Sequence, residues 1–107
     1  MKTKLKLQTL DSFTKDYLKE SPENAIGYLE TALEEYENDG DVKALMIAIQ
    51  RVAEIKGGMT ELARKTKLNR QNLYRIFSNQ VSPRFDTLSK ILKALGYTVS
   101  IKKLAAA

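Results

Sequence analysis

The chain has 107 residues, enough for one domain with a single hydrophobic core and too few for a large multi-site enzyme. It contains no cysteine and no histidine, which removes disulfide frameworks, most zinc sites and the usual proton carrier of general-base catalysis. A non-enzyme without metal or cofactor is expected. The net charge of +5 is unevenly spread: residues 1–56 carry 8 Lys/Arg against 11 Asp/Glu and residues 57–107 carry 10 against 2, an acidic half and a basic half that suggest two partners rather than one.

The first residues lack the apolar core of a signal peptide, and no apolar run approaches membrane-spanning length, so a soluble, cytoplasmic protein is expected. Residues 4–10 begin by alternating, with Leu5 and Leu7 on one face, as a short strand or a flexible arm does. Residues 13–19 predict a turn of helix with Tyr17 and Leu18 packed inward. Ser21-Pro22 is a helix start, because serine caps free backbone N–H groups and proline at the first position has none to satisfy. The helix runs to about Asn38, with Ile26, Leu29, Leu33 and Tyr36 in one stripe and Glu30, Glu34 and Glu37 on another face. Between Glu20 and Asp41 there are 8 acids and no Lys or Arg.

Asn38-Asp39-Gly40-Asp41 is a turn by composition, and Asp41 can cap the next helix. Residues 42–56 are apolar on almost every side, which predicts a central core helix ended by Gly57-Gly58. Three short helices follow, at about 60–66, 70–78 and 85–95; the last carries a Phe85, Leu88, Leu92, Leu95 stripe with Ile91 beside it and stops at Gly96. Tyr97, Val99 and Ile101 then alternate with Thr98, Ser100 and Lys102 in a strand pattern, which requires pairing with residues 4–10, with a second copy or with another protein. Lys103-Leu104-Ala105-Ala106-Ala107 reads as a vector-encoded tag linker and is set aside.

Residues 59–78 read as a helix-turn-helix joined by Lys67-Leu68-Asn69. Leu62, Ala63, Leu68, Leu73 and Ile76 are its apolar positions, and Ala63 is small where the helices cross. If Asn69 caps the second helix, Arg70, Gln71 and Asn72 project outward, and Arg75 shares the face of Gln71. Arginine donates two parallel hydrogen bonds to guanine and glutamine or asparagine matches adenine, so Asn69, Arg70, Gln71, Asn72 and Arg75 are candidate base contacts. Thr60, Arg64, Lys65, Lys67, Asn79, Gln80 and Arg84 can contact phosphates, as can Tyr74, which is equally suited to half-packing. The plainer reading of such a face is a solvated surface.

Met59-Thr60-Glu61-Leu62-Ala63-Arg64, Leu68-Asn69-Arg70-Gln71-Asn72-Leu73-Tyr74-Arg75, Ser82-Pro83-Arg84-Phe85-Asp86-Thr87-Leu88 and Ile91-Leu92-Lys93-Ala94-Leu95-Gly96 resemble the antidote (antitoxin) proteins of bacterial addiction modules with an Xre/lambda-repressor-like helix-turn-helix. Tyr17-Leu18-Lys19, Ser21-Pro22-Glu23 and Tyr28-Leu29-Glu30-Thr31-Ala32-Leu33-Glu34-Glu35 resemble the helical lead-in of one subfamily. The resemblance implies an all-α, five-helix DNA-binding domain that homodimerises, represses its own operon and binds a RelE/ParE-like toxin, commonly a small basic mRNA endonuclease. To this the residues add an N-terminal helical extension and possible short terminal strands. One departure is Lys67, where the superfamily usually has a left-handed glycine; lysine there costs about 1 kcal/mol.

In this reading residues 1–56 form the acidic lead-in and core helix, packed in one domain with the DNA-binding part at 57–102, and 103–107 are linker. Glu30, Glu34 and Glu37 are candidate contacts to a basic toxin, with Leu5 and Leu7 as a strand that adds to a toxin sheet. Leu92, Leu95, Tyr97, Val99 and Ile101 are the candidate dimer interface. A phage or chromosomal repressor without a toxin, and a protein-interaction adaptor that has kept the helix-turn-helix shape, remain open alternatives.

Overall fold

The structure, a computed structural model, describes residues 12–101 and 103–105. Their regular structure is entirely helical: α1 (12–20), α2 (Pro22–Asp39), α3 (Val42–Ile55), α4 (Gly58–Thr66), α5 (Arg70–Phe77) and α6 (Phe85–Ala94). Local chemistry sets the boundaries. Ser21 Oγ accepts from the Asn24 N–H at 3.3 Å ahead of Pro22, and Asp41 Oδ1 accepts from the Lys43 N–H at 2.9 Å. Gly40 closes α2 at φ 73, and Gly57 and Gly58 both take positive φ, the second already inside α4.

Helix α3 is central, packed against α2, α4 and α5, while α4 also meets α5 and α6. Met46, Ile49 and Val52 of α3, Leu73 of α5 and Ile91 of α6 are fully buried. Each such side chain contributes about 1.5–3 kcal/mol through apolar burial. The envelope of α3 is not closed, however: Ala44 and Ile47 lie exposed on its far side.

Three expectations about which face turns inward are corrected. On α2 the core face is Ala25, Leu29 and Ala32, while Ile26 is 44% exposed and Tyr36 is exposed too. Small alanines let the α2 and α3 backbones approach closely, and that contact excludes the bulkier residues one position along. On α6 the inward residues are Ile91 and Leu95, with Leu88 and Leu92 half-buried and Phe85 70% exposed. On α1 only Leu18 is buried and Tyr17 is exposed, because a helix this short touches the core along a single line.

The strand expected from Tyr97 onward is absent among the described residues: 97–101 carry no regular structure. A strand requires a ladder partner, and the described chain supplies none; residues 4–10, the other expected strand, lie outside the described residues. The root of the tail is tied to the fold. Tyr97 N–H donates to Leu92 O at 2.8 Å, Lys56 Nζ donates to Leu95 O at 2.8 Å, and the same ammonium sits 4.7 Å from the Tyr97 ring centroid. Among the described residues no helix is long and apolar enough to cross a membrane.

Candidate nucleic-acid interface

The geometry of α4, α5 and their connection follows from three residues. Thr66 is buried, and its hydroxyl donates to Leu62 O at 2.8 Å while accepting from the Leu68 N–H at 3.2 Å, which ties the end of α4 to the turn. Lys67 takes φ 60 and ψ 20, with its N–H on Ala63 O at 2.8 Å. The position at which the resemblance implies a left-handed glycine is thus left-handed here with lysine. Asn69 is extended at φ −66, ψ 132, and its Oδ1 accepts from the Gln71 N–H at 2.7 Å. That bond caps α5 and leaves the exposed Asn69 amide NH2 without a partner among the described residues.

Leu73, Ile76 and Phe77 are buried and fix the orientation of α5. Arg70, Gln71, Asn72, Tyr74 and Arg75 are consequently exposed along its outer side. Arg70 Nη2 donates to Tyr74 Oη at 3.3 Å, and its guanidinium carbon lies 5.8 Å from the Tyr74 ring centroid. This (i, i+4) contact lays one arginine along the helix surface, whereas Gln71, Asn72 and Arg75 stand without side-chain partners among the described residues. The arrangement presents several planar, hydrogen-bonding side chains on a helix whose opposite side is anchored.

Thr60, Arg64, Lys65, Lys67, Asn79, Gln80 and Arg84 are all exposed around this helix. Asn79 is the second non-glycine residue at positive φ, 63, and Gln80 N–H donates to Arg75 O at 3.0 Å, so the chain turns sharply after α5. Two acids that sequence reasoning did not assign pair with these cations. Glu61 accepts from Arg64 through Nε at 3.0 Å and through Nη2, with Lys65 Nζ 3.9 Å away. Asp86 lies 3.4 Å from Arg84 Nε. The Arg64 hydrogen bond lowers the Glu61 pKa below its ordinary value, and the same bond raises that of Arg64. The signal was present as opposite charges at (i, i+3) and (i, i+4) from Glu61. Lys67, Arg70 and Arg75 carry no ion pair among the described residues.

The other candidate contacts lie elsewhere. Glu30, Glu34 and Glu37 are exposed on α2, and Leu5 and Leu7 fall outside the described residues. Of the candidate dimer residues, Ile101 is fully exposed and Leu92, Tyr97 and Val99 are half-buried. Leu95 is 5% exposed, so its side chain is committed to the core of its own chain.

A family model described as probable addiction module antidote protein matches residues 7–103. No curated protein and no solved structure matches the chain.

Proposed function

The chain belongs to the family of addiction module antidote proteins, and from that premise we propose that it neutralises its toxin by direct binding and represses its own operon through sequence-specific DNA contacts. An antidote is one half of a pair, so a toxin partner follows from the family itself. We take α4 and α5 as the helix-turn-helix of a lambda-repressor-like domain, with α5 as the helix that enters the major groove. The observation that carries this is the exposed row Arg70, Gln71, Asn72 and Arg75 on a helix held by buried Leu73, Ile76 and Phe77. Asn69 joins the row through its uncommitted NH2 group. Arg64, Lys65, Lys67 and Arg84, with Thr60, Tyr74, Asn79 and Gln80, contact phosphates and set register. The domain binds as a homodimer that spaces two α5 helices about 34 Å apart, one turn of DNA. Its toxin is of the RelE/ParE-like, mRNA-cleaving type, met by the acidic side of α2. Nothing in this mechanism requires catalysis or a cofactor.

Two measurements test the reading. In a gel shift with DNA from upstream of the coding sequence, binding should weaken steeply with salt, and Arg70→Ala should abolish sequence preference while circular dichroism stays unchanged. Unchanged affinity and preference would remove Arg70 from that role. Co-expression with the small protein encoded beside it should relieve that protein's toxicity; if operator binding persists and no toxicity is relieved, the chain is a repressor without a toxin.

A further inference from the structure

Exposed Ile26, Tyr36 and Phe85, together with Leu33, Leu88 and Leu92, which pack partly against the core, face a common space. They line a groove of about 700 Å³, to which Tyr97, Thr98, Val99 and Ser100 of the tail also contribute. An open apolar surface of this kind marks an interaction site. Glu30, Glu34 and Glu37 stand along the same groove, and among the described residues no Lys or Arg lines it, although the chain as a whole carries a net charge of +5. The three carboxylates recur at four- and three-residue steps and so span about 10 Å of wall at 1.5 Å per residue.

We infer that this groove seats an amphipathic helix of the toxin, its apolar ridge between α2 and α6 and Lys or Arg along the flank that faces Glu30, Glu34 and Glu37. A helix rather than a strand fits, because its i, i+3, i+4 and i+7 positions repeat with the same spacing as the glutamates. A second copy fits poorly: a two-fold contact applies the same patch to itself, and both sets of glutamates would meet in one interface. The inference rests on the antitoxin reading and adds to it the place and chemistry of the contact.

The test uses the full chain co-expressed with the toxin encoded beside it and compares two exposed-site variants, Phe85→Ser and the triple Glu30→Lys, Glu34→Lys, Glu37→Lys. Each should weaken toxin binding by about tenfold or more and impair neutralisation. Operator affinity should be unchanged in Phe85→Ser, and circular dichroism and light scattering should report the same fold and oligomeric state in both variants. Full toxin affinity in both variants overturns the groove as the seat while the antitoxin reading stands. A changed oligomeric state in Phe85→Ser with toxin affinity intact assigns the groove to a second copy and also overturns it. If the unmodified chain relieves no toxicity, the antitoxin reading fails and the groove assignment falls with it.

Discussion

Lys67 at φ 60 and ψ 20 stands where a Cβ crowds the following carbonyl, at a cost of about 1 kcal/mol. Lys67→Gly relieves that crowding but also removes a cation from the proposed phosphate contacts. Stability to urea should therefore rise by up to about 1 kcal/mol, while operator binding weakens and its log–log salt slope becomes shallower by about 0.9. Opposite signs in the two measurements separate a turn residue from a contact residue. Glu61 gives a second residue-scale expectation. Its folded pKa is lowered, chiefly by the hydrogen bond from Arg64, so the pair's contribution is present above the ordinary glutamate value of 4.5 and is lost as pH falls through the lowered one. Carbon-detected titration should find Glu61 below 4.5, and Arg64→Ala should return it upward. Because Arg64 must leave Glu61 to reach a phosphate, Glu61→Gln should tighten DNA binding most at low salt.

At the scale of elements, the connection between α4 and α5 depends on two short side chains. Thr66→Val keeps the shape but removes the hydroxyl that serves both Leu62 O and the Leu68 N–H, and should destabilise by about 1–3 kcal/mol. Asn69→Ala removes the α5 cap and should cost about 1 kcal/mol. Thermal unfolding followed by circular dichroism measures both. These devices differ in how readily the chain announces them. The starts at Ser21-Pro22, Asp41 and Asn69 and the stop at Gly40 are local, because a side chain, or at Gly40 the backbone N–H, meets a backbone group two to four positions away, and all were legible. The buried faces of α2 and α6 were not. Size and apolarity nominate Ile26, Tyr36 and Phe85 for the core, yet Ala25, Ala32 and Ile91 occupy it, since the distance between packed helices decides which residues fit. The exposed face of α5 was legible because Leu73, Ile76 and Phe77 leave the remaining residues only one direction to face. The ion pairs of Glu61 and Asp86 were less legible, because an exposed acid beside a cation is as readily solvated as paired.

For the whole molecule, the proposed function requires one small domain to cover two successive major grooves. In that proposal a single α5 reads one half-site, and roughly a helical turn of DNA separates the next, so sequence-specific affinity would depend on a second copy held at fixed spacing. The tail is the segment suited to that task. Its side chains alternate, Tyr97 and Val99 half-buried against the chain and Ile101 fully outward, while its backbone between 98 and 101 makes no hydrogen bond among the described residues. A segment with Tyr97 and Val99 half-buried and its polar backbone open offers an edge for antiparallel pairing with its own copy across a two-fold axis. Such pairing uses the backbone edge and the outward Ile101; because Tyr97, Thr98, Val99 and Ser100 also line the α2–α6 groove, Ile101→Asp is the variant that tests dimerisation without altering the groove lining. Ser100→Pro deletes one ladder donor without touching the core. It should convert a dimer to a monomer in light scattering and weaken binding to a two-half-site operator by a hundredfold or more, on the order of the avidity lost, while leaving half-site binding nearly unchanged. A dimer that survives both Ser100→Pro and Ile101→Asp would place the two-fold contact on another surface.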